Sequence, residues 1–409
     1  MNKIVKDKYM VINLLIWVIM FIYFIVVLIK SPRQSDDIDY YKNVTNNLTG
    51  YIKYILYYGN GRVLGNFLGV LFAKKRIIYA IAGAMMLVAI TILPIYILSI
   101  KKELQWVLVF LVMICPSDFY DNLYKWSSAF ANYIPPIFLC EIILCIIIWY
   151  SRNQNCQKYH VLCAISISIF SLLAQLFVEH MIIAISVLSI FFYIRRKQLR
   201  FDRSLTFCFS FFSLLGGMCN FIIPKIFISN ERMDWYNYKK EYRGGLTNFY
   251  DNLGEEVINL YVRLGMVSIL IVGCAVITFY LTRKIGEKEE KVKLSKIIIY
   301  ISSICIIILF MFIFNTAGSF DINYLLNTLV LIIWFALMLL SFFCARRIPF
   351  TTYKKFISYF MLFIILNVII TFPIAMSGAR LIYFTYYCCS LLVIMWTQIL
   401  RDIRTCYLK

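Results

Sequence analysis

The 409-residue chain is 62% hydrophobic and only 15% charged. A soluble protein carries roughly a quarter charged residues, so the composition excludes a soluble globular enzyme. The net charge of +20 comes from basic residues spread between apolar runs. That is the pattern of cytoplasmic loops, and it excludes a basic module for nucleic acid. The thirteen cysteines lie almost entirely within apolar runs, and the only histidines are His160 and His180. A disulfide framework and a Cys/His zinc site are therefore not expected.

In chain order, Lys3, Lys6 and Lys8 precede an apolar run from Met10 to Ile29. The run is long enough to span a bilayer and too long for a signal-peptide core, so it reads as an uncleaved anchor with its N-terminus inside. Further runs predict spans at about 77–99, 104–116, 134–150, 161–176, 180–194, 204–223, 263–281, 297–314, 325–343, 356–373 and 381–399. The expected fold is all-α: a polytopic transmembrane helical bundle of about 12 spans, one integral membrane domain over 1–409, with both termini cytoplasmic. The runs are continuous, which excludes the short alternating strands of a β-barrel.

Two outer segments are long, 30–76 and 224–262. With this topology the inside segments hold 25 of the 41 Lys and Arg and the outside segments 16, as positive-inside loops require. Lys74, Lys75 and Arg76 run against the trend. If 63–76 entered the membrane, every later span would invert. Asn43 and Asn47 match the N-glycosylation pattern, which means little in a chain whose Ile/Lys/Tyr/Asn-heavy composition looks bacterial.

The candidate chemistry begins directly after the first span. Asp36, Asp37 and Asp39 place three carboxylates within four positions at a membrane–water boundary. Crowded carboxylates repel, which poises one of them to take a proton. The alternative is a solvated loop that favours a helix start. Apolar positions Val44, Leu48, Tyr51, Ile52 and Ile55 have helical spacing, so 40–56 is expected to form a helix on the outer surface with the acids at its N-terminal end.

Asn60, Gly61, Arg62, Gly65, Asn66 and Gly69 follow. The glycines fall four apart, a stripe for close helix packing, while Arg62 has the planar fork to hold a phosphate or to pair with an Asp. In 116–136, Tyr124, Trp126, Phe130 and Tyr133, mixed with Asn132, form either an interfacial aromatic belt or a platform for sugar rings. Glu141 is expected just inside a span that starts after Pro136, Glu179 and His180 at a hairpin tip, and Arg380 at the outer start of the last span. Ionisable residues there face a cavity or a partner, or snorkel to the surface. This topology brings Asp36, Asp37, Arg62, Glu179 and Arg380 to one side of the membrane.

An Asp pair after the first span, an outer juxtamembrane segment and many further spans resemble the GT-C superfamily of membrane glycosyltransferases. Ser35-Asp36-Asp37, the stretch from Asn60 to Asn66, Trp126 with Asn132, Tyr133 and Pro136, and the late Arg380 look like a poorly characterised bacterial GT-C-type family. The phage-type O-antigen glucosyl transferases are a more distant comparison. The resemblance covers most of the chain. It implies a polyprenyl-phosphate-linked sugar as donor, a cell-envelope glycan or lipid-linked acceptor, and work on the outer face of the cell membrane. It also implies that Asp36 or Asp37 acts as general base on the acceptor hydroxyl. A cation must then steady the phosphate leaving group, and Arg62 and Arg380 are the candidates. Some GT-C members bind a divalent metal, so Asp36 and Asp37 are its possible ligands here, while no other cofactor is implied. Asn60, Trp126, Asn132, Tyr133, Glu179 and His180 complete the expected substrate-binding set. Two rivals remain: a polysaccharide polymerase, in which 224–262 would carry the essential residues, and a lipid-linked sugar flippase or other transporter, which would carry charge near the bilayer midplane.

Overall fold

The computed structural model describes residues 3–44, 48–53, 62–101, 104–113, 115–227 and 379–407, with single helical positions at 270, 271, 273, 277, 336, 339, 342 and 343. All regular structure among the described residues is helical. Two compact units divide the chain. One comprises Met1–Lys102 and Ser117–Tyr242, the other Glu103–Pro116 and Arg243–Lys409.

The first unit contains α1 (Lys3–Lys30), two short helices α2 (Asp36–Asn43) and α3 (Leu48–Lys53), α4 (Val63–Lys74) and α5 (Arg76–Ile97). It continues through a single turn Ser117–Phe119 and a π turn Tyr120–Tyr124. Four long helices follow: α8 (Ser127–Arg152), α9 (His160–Ala174), α10 (Glu179–Leu199) and α11 (Arg203–Phe227). The second unit contains α6 (Gln105–Met113) and the C-terminal helix Ala379–Tyr407; the turn Ser117–Phe119 is α7. In that unit Tyr386 donates its hydroxyl to the Leu111 carbonyl of α6 at 2.8 Å.

Six described helices are long and apolar enough to cross a membrane: Val11–Lys30, Arg76–Ile97, Ser127–Arg152, Gln157–Ala174, Arg203–Ile222 and Tyr383–Asp402. Their surfaces point to the same solvent. α1 buries a stripe of Met20, Phe24 and Leu28, spaced four apart, and exposes Leu14, Leu15, Ile19 and Ile22 on its other sides. A helix apolar nearly all round is at home in lipid.

The helix ends of the first unit sort into two groups. At one end, Arg76 donates to the Ser31 carbonyl, Leu64 N–H to the Leu176 carbonyl (3.0 Å), and Asn220 Nδ2 to the Gln175 and Phe177 carbonyls (2.8 and 3.0 Å). At the other, the Arg152 guanidinium lies 6.0 Å from the Tyr96 ring centre, and Asp202 N–H donates to Ser151 Oγ at 3.3 Å. The first end carries the Asp36–Asp39 turn and is called the acid end. The second carries Arg195, Arg196, Lys197, Arg200 and Arg203 and is the basic end.

Four expectations are corrected here. The span expected at 134–150 starts at Ser127, because Pro135 and Pro136 sit inside α8 rather than ahead of it. A proline normally breaks a helix interior, but neighbouring helices can hold the backbone it leaves unbonded. Glu141 is consequently roughly 21 Å into the helix and buried, not near its start. The helix expected over 40–56 begins at the acids and breaks at Val44, whose backbone is extended before α3. The helical part of the span expected at 104–116 is the nine-residue α6, about 14 Å long and shorter than a full span, although the chain returns from Tyr96 at the basic end to Ser127 at the acid end across 97–126. The expected hairpin over 161–194 is present, with its turn at 175–178 just before Glu179. Beyond Phe227 the loop 224–262 lies outside the described residues, as do the spans expected at 263–281, 297–314, 325–343 and 356–373 apart from the single positions above.

Candidate functional site at the acid end

The acid turn is built by a tight chain reversal. Ser35 has φ 38°, a conformation that costs a non-glycine residue roughly 1–3 kcal/mol and persists only where surrounding structure holds it. Its carbonyl accepts the Ile38 N–H at 2.9 Å, and the Gln34 carbonyl accepts the Asp37 N–H at 2.8 Å, starting α2.

The three acids then separate. Asp36 and Asp39 are exposed, whereas Asp37 is 0% exposed. Its Oδ1 accepts the Ser128 N–H at 2.8 Å and its Oδ2 the Ser127 N–H at 3.1 Å. Ser127 and Ser128 open α8, where no side chain of the helix itself caps the free N–H groups. Asp37 therefore caps α8 from ninety residues away, its charge favoured by the helix dipole. Charge-assisted hydrogen bonds of this kind contribute about 1.5–3 kcal/mol each.

The neighbouring cations hold the same turn. Arg33 donates Nε to the Ala73 carbonyl at 3.0 Å and stacks 3.9 Å from the Tyr41 ring centre. Lys74 donates to the carbonyls of Tyr41 and Val44 at the end of α2. Arg76, half-buried, donates to Ser31 and feels the Asp37 charge. Beneath the turn, Tyr40 and Val44 pack on Val70 and Ala73 of α4.

α4 lies against α8 through the glycine stripe. A methyl group added at Gly65 would sit 2.0 Å from Asn132 Oδ1, and one at Gly69 3.1 Å from the Tyr40 ring. Asn132 is buried and donates Nδ2 to the Ser128 carbonyl at 2.8 Å. It thus ties the first turn of α8 while its oxygen faces the α4 backbone.

The other expected site residues divide. Arg62 precedes α4 at this end, partly exposed, and its carbonyl accepts the Asn66 N–H at 2.8 Å. Trp126 is partly exposed beside the cap. Tyr124 and Phe130 are neither belt nor platform, being fully buried: Tyr124 packs on Phe24, and Phe130 on Phe72 and Tyr79. Tyr133 is also buried. Glu179 and His180 open α10, and Arg380 lies in the first turn of the C-terminal helix in the second unit; their side chains lie outside the described residues, as does Asn60 altogether.

Sequence reasoning missed Arg76, Ser127 and Ser128. Around Asp37, Arg76 Nη1 and the Ser127 and Ser128 hydroxyls are buried without a hydrogen-bond partner among the described residues. The only sequence signal was the pair of serines ahead of an apolar run, which reads as a helix start.

As a metal-binding pair, Asp36 and Asp37 do not fit. Asp37 is enclosed with both oxygens on backbone N–H groups, and Asp36 stands on the surface. Compared with known proteins, the chain matches no family model, no curated protein and no solved structure.

Proposed function

We propose that the chain is a membrane glycosyltransferase with a GT-C-like bundle of about twelve spans, transferring a sugar from a polyprenyl-phosphate-linked donor to a cell-envelope glycan acceptor at the acid end. The observation that supports this reading best is the division of labour between the paired acids. Asp37 is committed to the α8 cap and seats the turn, while the strained Ser35 leaves Asp36 exposed beside it. A solvated loop has no need of a buried carboxylate and a strained residue to place its neighbour.

In this mechanism Asp36 accepts the proton of the acceptor hydroxyl as its oxygen bonds to the anomeric carbon. The bond from that carbon to the phosphate oxygen breaks, and the phosphate leaves with the electron pair. Arg62 meets the charge that develops on it. Asp37 and Arg76 position the base and do not touch the substrate. No step needs a metal. The acid end then faces outward and the basic end the cytoplasm, as positive-inside loops require.

The test is mass spectrometry of cell-envelope glycans from cells with and without the protein, and with Asp36→Asn. A mass difference of one sugar unit between the first two is expected, with loss of about 10²–10⁴ in transfer rate for Asp36→Asn at unchanged protein level. Full transfer by Asp36→Asn would falsify its assignment as the base. An unchanged glycan profile without the protein would remove the glycosyltransferase reading itself.

A further inference from the structure

At the basic end, Tyr193, Asp202, Arg203, Ser204 and Phe207 line a cleft of about 410 Å³. Its polar side is a hydrogen-bonded knot. Asp202 Oδ1 accepts the Ser204 and Leu205 N–H groups at 2.9 and 3.0 Å and the Ser204 hydroxyl at 2.5 Å. His160 Nε2 lies 2.6 Å from Ser204 Oγ and 3.7 Å from the same carboxylate oxygen. Asp202 is thus taken up internally as the cap of α11.

The cations exceed it. Arg203 is exposed on the cleft wall. Arg196 lies 4.5 Å from the centre of the Tyr193 ring, which also lines the cleft, and Arg195, Lys197 and Arg200 share the same chain end. On its apolar side the cleft opens onto Phe207, stacked on Phe211 at 5.7 Å and 18°. Both rings are exposed, and the stripe continues through exposed Leu214, Leu215 and Met218 along one face of α11. α11 is one of the helices long and apolar enough to cross a membrane.

A cleft that is cationic where a span ends, and that runs into an exposed apolar stripe along that span, is complementary to an amphiphile with an anionic head. We propose that this cleft seats an anionic phospholipid, its phosphate against Arg203 and an acyl chain along Phe207 and Phe211. The site is independent of the transfer chemistry at the acid end. Charge selects the headgroup, and the aromatic stripe selects a lipid over a free phosphate.

The experiment uses the full chain in detergent micelles, with native mass spectrometry and thermal unfolding during titration with phosphatidylglycerol, phosphatidylcholine or glycerol phosphate. Phosphatidylglycerol is expected to bind and raise the unfolding temperature, less so as salt rises. Arg203→Gln should weaken its binding about tenfold, the loss of one charge-assisted contact. Phe207→Ser should weaken it without changing the salt dependence. An equal response to phosphatidylcholine overturns the proposal, since no anion is then recognised. So does an equal response to glycerol phosphate, since the apolar stripe then plays no part, or full phosphatidylglycerol binding by Arg203→Gln. If Arg203→Gln does not fold, Arg203→Lys and the salt titration of the natural chain decide: binding insensitive to both overturns the site.

Discussion

Adjacent carboxylates in one turn have opposite fates, and the physics of burial separates them. A buried charge must be hydrogen-bonded, and the two oxygens of Asp37 are taken up by the two free N–H groups that open α8. Asp37→Asn keeps the shape but replaces one acceptor oxygen by a donor, leaving one N–H unpaired. The expected result is a stability loss of about 1–3 kcal/mol, read as a lower unfolding temperature and lower protein yield. Asp36→Asn, on an exposed side chain, should leave both unchanged. Equal stability in the two variants would show that the cap carries no weight. From sequence alone the pair was indistinguishable, because neighbouring acids on a short helix differ only in what the rest of the fold brings against each face.

Between elements, contact distance decides what the glycines do. The stripe at Gly61, Gly65 and Gly69 was legible as a packing stripe, but its partner was not. Gly65→Ala pushes a methyl group into Asn132 Oδ1, and overpacking of this kind costs about 1–3 kcal/mol. Asn132→Ala removes the obstruction, so the double variant should recover part of the loss in a double-mutant cycle on unfolding temperature; strictly additive effects would place the clash elsewhere. At the start of α11, burial raises the Asp202 carboxyl, but hydrogen bonds from Ser204 and Leu205 and the proximity of His160 outweigh it and hold it below the ordinary 3.8. A lowered folded-state value stabilises above the unfolded value and is lost as pH falls through the folded one. Asp202→Asn should therefore be less stable than the natural chain at neutral pH, with the gap closing as pH falls below about 4. A gap constant from neutral pH to pH 3 would mean that the charge contributes nothing.

For the whole molecule, the two-ended sorting of the first unit predicts accessibility. Cysteines placed at Asp39 and Lys125 should be labelled by a membrane-impermeant thiol reagent from one side, and cysteines at Lys158 and Gln198 from the other. Labelling of Asp39 and Lys158 from the same side would break the reading of α5 and α8 as spans with the chain crossing back between them. Lys74, Lys75 and Arg76, which oppose the charge rule in the proposed topology, are explained in part by tertiary use. Lys74 and Arg76 bind carbonyls at the ends of α2 and α1, and both ends of the twelve-residue α4 stay at the acid end. That helix is about 18 Å long, too short to cross, so the following spans need not invert. The helical class, the long apolar helices among the described residues and the place of the acid turn directly after the first of them were determined by the sequence alone, because the bilayer demands length and hydrophobicity of each span separately and both are local properties. The burial of Asp37 under α8, the continuation of α8 through Pro135 and Pro136, and the loss of Tyr124 and Phe130 to the core were decided only by tertiary structure. Each depends on which residue, distant in the chain, lies against it, and hydrophobic periodicity contains no term for that contact.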